Sequence, residues 1–188
     1  MAYTLKDVFY LAANHEYTNG DYNSSNEDGI FAIDVSAYVD PIAKGSRRGQ
    51  GLAIYKVWAQ VTSDSGTAVS PTEASGNGFA LSVKPFTTTG DGLNGQIAQF
   101  DMTPSSDVCI WSGQMFGTAS YAGSEPDIKE TLAPSPEVPF VCVRDTIYGL
   151  FINNAAVTAD LNIHYRMECA MITLDTATLN QLLRTQTV

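Results

Sequence analysis

Basic residues, histidine and cysteine are all scarce in this sequence, and so is any long apolar run. Ten Lys and Arg stand against 20 Asp and Glu, a formal charge of −10. A surface of that sign repels phosphate backbones and anionic membranes, so direct nucleic-acid binding is not expected. Thirteen of the acids are Asp and only five residues are Lys, a balance that leans towards a salt-adapted surface. No stretch approaches the ~18 apolar residues of a membrane-spanning helix. Met1-Ala2-Tyr3-Thr4-Leu5-Lys6-Asp7 has none of the marks of an export signal.

The three cysteines, Cys109, Cys142 and Cys169, are odd in number, far apart and embedded in apolar runs. They read as small buried hydrophobes rather than a disulfide framework or a zinc site, which predicts a reducing compartment. Only His15 and His164 could shuttle protons near neutral pH. No nucleophile elbow, metalloprotease helix, Cys-x-x-Cys pair or dinucleotide fingerprint is present. Paired carboxylates of the glycosidase kind would leave no local spacing to read. The expectation is a protein that is not an enzyme and holds no cofactor or metal.

What is there is alternation. Apolar residues make up 44% of 188 residues, ample for one domain that buries roughly 70% of its unfolded surface. In 30–39, Phe31, Ile33, Val35, Ala37 and Val39 recur every second residue, the period of a half-buried strand. The stretch 51–62 sets Ala53, Tyr55, Val57, Ala59 and Val61 against Ile54, Lys56, Trp58, Gln60 and Thr62. The longest run, 160–174, sets Leu161, Ile163, Tyr165, Met167, Cys169 and Met171 against Asn162, His164, Arg166, Glu168, Ala170 and Ile172. Further strands are expected in 78–88, 96–102, 108–115, 140–144 and 146–153, with turn-forming clusters between them.

Two helices frame this pattern. Leu5, Val8, Phe9 and Ala12 share a helical face after Thr4, which predicts a short helix over 5–14. Leu179, Leu182 and Leu183 form an apolar stripe after Asp175 or Thr176, which predicts a second over 176–184. The chain divides into an N-terminal segment 1–29, a sandwich 30–175 and a C-terminal helix and tail 176–188. The fold class is all-β: an antiparallel, eight-stranded jelly-roll sandwich with short terminal helices. An immunoglobulin-like sandwich, at about 100 residues, would leave much of the chain unexplained.

Two loops invite a ligand. Asp21 to Gly29 spaces oxygen groups as calcium loops do, but lacks the glycine at the sixth position and the Glu at the twelfth, where Ala32 stands. It reads as a hydrated loop. Lys44, Arg47 and Arg48 form the only basic cluster, suited to an anion or to an acidic neighbouring subunit.

The strand at Phe31 to Val39, the Trp-bearing strand Leu52 to Thr62, the strand-turn-strand Phe140 to Asn154 and the late strand Asn162 to Glu168 together resemble the single jelly-roll capsid proteins of icosahedral viruses. The resemblance is architectural and covers most of the chain. It implies a capsid subunit that assembles with copies of itself and with other capsid proteins, in the host cytoplasm, into a virion. Met1 to Gly29 holds only Lys6 as a basic residue, unlike the Arg-rich arms of many small-virus coats. That departure narrows the likeness to membrane-containing double-stranded DNA viruses, including those of salt-loving archaea, and implies a place near an internal viral membrane. Tyr38, Trp58, Phe86 and Trp111, with the polar strip His164, Arg166 and Glu168, are then the candidate subunit interface. The alternative is a carbohydrate-binding sandwich, with Trp58 and Trp111 stacking on a sugar.

Overall fold

The computed structural model describes residues 8–17, 28–40, 48–63, 66, 78–84, 109–116, 128–153 and 160–186. Nine strands and one helix lie within them: β1 (Phe9–Tyr17), β2 (Asp28–Asp34), β3 (Arg48–Ser63), β4 (Gly78–Lys84), β5 (Trp111–Phe116), β6 (Ile128–Leu132), β7 (Phe140–Cys142), β8 (Thr146–Asn153), β9 (Leu161–Asp175) and α1 (Thr176–Thr185). The strands form two sheets, ordered β1-β9-β3-β7 and β2-β8-β4-β5-β6, and every pair within them is antiparallel.

The pairing is nested. β1 joins β9, β2 joins β8, β3 joins β7 and β4 joins β5. The chain thus behaves as one long hairpin rolled up on itself, and the cross-pairs β3 with β9 and β4 with β8 close the roll. Eight strands pairing first with last, next with next-to-last, define a jelly roll. β6 is an addition that extends the second sheet beyond β5.

Alternation fills the space between the sheets. Leu161, Ile163, Tyr165, Met167 and Cys169 of β9 meet Phe31 and Ile33 of β2 and Ile147 of β8 in one buried cluster. Each such side chain contributes about 1.5–3 kcal/mol on burial. Gly149 of β8 pairs with Phe31, and a Cβ there would collide with the Phe31 ring; the glycine lets the ring lie flat on the strand. Phe31 in turn stacks on His15 with centroids 5.0 Å apart and lies 5.6 Å from Tyr165.

Three expectations are corrected. Phe9 to Asn14 is strand, not helix: nine residues of β1 pair with β9, from Phe9 opposite Cys169 to Tyr17 opposite Leu161. Phe9, Leu11 and Ala13 pack inwards, so β1 belongs to the sandwich rather than to a separate N-terminal segment. In β3 the register shifts between Ile54 and Lys56, a bulge that changes which residues face in. Leu52 and Ile54 join the core before it and Val57 and Val61 after it, while Ala53 and Tyr55 pack on the opposite face with Ala170. The segment after Asp34 is a turn: the Asp34 carboxylate accepts from Ser36 N at 2.9 Å and Tyr38 N donates to Val35 O at 2.9 Å.

The C-terminal helix forms where the sequence places it. Asp175 caps it, its carboxylate accepting from Thr178 N at 2.8 Å. Leu179 packs on Val143 and Leu174, with Leu182 and Leu183 beside them. The helix therefore covers one end of the first sheet's outer face.

Candidate functional site

At the other end of that face Tyr10, Ala12, Lys56, Trp58 and Arg166 are exposed, and the registers of β1, β9 and β3 make it a grid. Four rows cross the three strands: Tyr10, Glu168 and Lys56; Ala12, Arg166 and Trp58; Asn14, His164 and Gln60; Glu16, Asn162 and Thr62. They share a face because inward and outward residues alternate along each strand, and because the bulge has reset β3 before Lys56.

Rings and cations dominate the first two rows. Tyr10 is 52% exposed and Trp58 38%, and their ring centroids lie 6.1 Å apart. The Arg166 guanidinium sits 4.3 Å from the Tyr10 centroid, and Lys56 Nζ 4.7 Å from that of Trp58. Cations over ring faces gain about 0.5–1 kcal/mol each at exposed sites. Stacking uses the flat face of the guanidinium and leaves its in-plane N–H donors for a carboxylate. In the lower rows the Thr62 hydroxyl and His164 Nε2 are hydrogen-bonded at 3.0 Å. Between the rows lies a shallow depression of about 500 Å³, lined by Ala12, Asn14, Trp58, Gln60, His164 and Arg166.

An exposed cluster of Trp, Tyr and Arg has the composition of the energetic centre of a protein interface. Four of the residues singled out from the sequence, Trp58, His164, Arg166 and Glu168, meet on this face. Tyr10 was missed, because a helical reading of 5–14 hides its alternation with Phe9 and Leu11.

The remaining candidates fall elsewhere. Trp111 is a correction: it is 1% exposed, its ring edge-on to Tyr165 at 6.1 Å and its Nε1 donating to Glu130 at 3.2 Å. It is a core residue and cannot meet a partner subunit or a sugar. Tyr38 is half-buried and stacks on Phe9 at 4.8 Å, closing one corner of the core. Phe86, Lys44, Arg47, residues 21–27 of the calcium-like stretch 21–29 and the strand expected at 96–102 lie outside the described residues, while Asp28 and Gly29 open β2. Arg48 opens β3, its backbone opposite Asp175.

All three thiols are buried and none is in a disulfide. Burial pushes Cys142 and Cys169 up to about 12, so neither is a nucleophile near neutral pH. No group of His, Cys, Asp and Glu suited to a metal ion occurs among the described residues. No helix among them is long and apolar enough to cross a membrane.

No protein-family model and no curated protein matches the sequence. Among solved structures the chain is similar to polyomavirus VP1 capsid proteins. VP1 of New Jersey polyomavirus in its apo form is 7% identical, over 90% of this chain and 100% of that one, with a TM-score of 0.49. VP1 of Merkel cell polyomavirus in complex with disialyllactose is 6% identical, over 93% of this chain and 98% of that one, with a TM-score of 0.47. The jelly-roll assignment rests on the nested strand pairing of this chain itself.

Proposed function

We propose that this protein is a structural subunit of a viral capsid, associating with copies of itself and with other capsid proteins in the virion, and that it performs no chemistry. The observation that carries the reading is the outer face of the first sheet. A jelly roll that has already buried both inner faces keeps Tyr10, Trp58, Arg166 and Lys56 together in solvent, an arrangement suited to burial against another protein. The buried thiols support assembly in a reducing compartment such as the host cytoplasm. The charge of −10 supports a shell whose subunits do not lie directly on nucleic acid. A membrane-containing virus of a salt-rich host fits that charge, with the subunit near the internal membrane but not in it.

Sedimentation and electron microscopy of the purified protein across concentration and ionic strength test the reading. Defined oligomers or particles are expected. A strictly monomeric protein under every condition would overturn it.

A further inference from the structure

The most exposed large apolar side chain among the described residues is on the turn between β6 and β7. Val138 is 74% exposed. The turn is held closed by reciprocal bonds, Ser135 N to Val138 O at 3.2 Å and Val138 N to Ser135 O at 3.1 Å, with a third from Val138 N to Ser135 Oγ at 3.2 Å. Pro134, Pro136 and Pro139 restrict the same segment. Beside Val138 stands the exposed carboxylate of Glu137. A stiff tip that carries one apolar and one acidic side chain loses little freedom when it docks.

The exposed face of the first sheet offers the complementary polarity and charge, apolar side chains around a cation. Its depression spans the two middle rows, where the Ala12 methyl and the Trp58 ring flank Arg166. The face's own acids stand in the outer rows, Glu168 between Tyr10 and Lys56, and Glu16 beside Asn162. Arg166 is thus the cation at the centre, held over Tyr10 at 4.3 Å. We propose that the Glu137-Val138 tip of one copy seats in this depression of the next, Val138 against Ala12 and Trp58 and Glu137 paired with Arg166. The partner is a second copy of this chain because tip and depression match each other in sign and polarity.

This contact rests on the capsid-subunit reading and gives it a geometry. The tip leads into β7, at one border of the sheet, whereas the depression lies across β1, β9 and β3. The two surfaces are different patches of one molecule, so a contact made head-to-tail rather than reciprocally within a pair propagates into rings or open filaments. One small contact buries less than the ~1,000 Å² of a stable pair, so association is concentration-dependent and weakens with salt.

Charge reversal in the full chain tests the pairing. Glu137→Arg and Arg166→Glu should each weaken self-association at least tenfold in sedimentation, and the double variant should recover most of the loss. A pair of engineered thiols, Val138→Cys with Ala12→Cys, should give covalent multimers under a mild oxidant, since the native cysteines are buried. If the wild type assembles but the single reversals assemble equally well and the engineered thiols form no bond between copies, this contact is wrong and the capsid reading stands. A wild type that never associates removes both. Should a reversal disturb folding, as read by its melting curve, the engineered thiols decide alone.

Discussion

The outer face of the first sheet is one surface with two ends, and they are built differently. At one end Gly49 and Gly51 leave the sheet low, and α1 settles onto it. A Cβ on Gly49 would stand 2.5 Å from Leu179 Cδ2, and one on Gly51 would stand 2.9 Å from Leu174 Cδ1 and 3.1 Å from the Cys142 carbonyl oxygen. Gln186, just past the helix, locks the cover in place. Its Nε2 donates to Val141 O at 2.7 Å and its Oε1 accepts from Val143 N at 3.1 Å. One side-chain amide thereby serves the edge of β7 as a neighbouring parallel strand would. At the other end Tyr10, Trp58 and Arg166 stand tall and nothing among the described residues roofs them. Among the described residues the sheet is roofed at one end only; exposed rings and cations beside a built roof are suited to a cover supplied by another molecule.

If the closed end is held by α1, damage there should cost folding stability and damage at the open end should not. Leu179→Ala carries the largest expected effect, a loss of about 2–5 kcal/mol in chemical denaturation, because it empties the centre of the cluster with Val143 and Leu174. Gln186→Ala comes next. It strands the buried Val143 N–H and should cost about 1–3 kcal/mol. Trp58→Ala at the open end should change stability by less than about 1 kcal/mol, yet reduce self-association in light scattering. Equal stability losses at Trp58 and Leu179 would abolish the distinction between the ends.

A chemical probe sharpens the same contrast from inside. Cys142 and Cys169 lie on either side of β3, opposite Leu52 and Ile54 respectively, and their thiols are pushed up to about 12 by burial. Alkylation at neutral pH should track unfolding rather than thiol chemistry. Leu179→Ala should speed labelling, while Trp58→Ala should leave it unchanged.

The inner faces were legible in the sequence and the outer face only in part, for a physical reason. Alternation in β9 places Leu161 to Cys169 in the core without help, because burial on one side writes a period of two. The same rule fails after Cys169. Met171 is exposed while Ala170 and Leu174 are buried, since α1 and Tyr55 cover the opposite face there. In β3 either phase is apolar, Leu52 and Ile54 or Ala53 and Tyr55, so nothing local announces the bulge. The first strand was misread as helix because Leu5, Val8, Phe9 and Ala12 satisfy a helical spacing, whereas the nine partners that β1 finds in β9 lie about 150 residues away along the chain. β6 escaped notice for a related reason: Ile128 to Leu132 carries Lys129 and Glu130 on an outermost strand, where one side of the backbone needs no partner.

The smallest expected effect lies beneath the open end, on the inward side of β1. His15 is partly buried and its ring is stacked on Phe31 at 5.0 Å with an interplanar angle of 3°. Burial lowers its pKa from 6.5, and neighbouring Glu16 offsets part of that shift. The unfolded chain therefore takes up a proton at a pH where the folded chain still resists one. Folding loses stability as pH falls below about 6.5 and recovers it above. The loss should loosen β1 before β9, because among the described residues β1 borders its sheet and pairs with β9 alone, whereas β9 lies between β1 and β3. Melting temperatures of the wild type and His15→Gln, compared at neutral and mildly acidic pH, isolate the contribution: the wild type should lose more on acidification than the variant. Parallel curves would show that the stacked histidine places no proton-linked strain on this end of the sandwich.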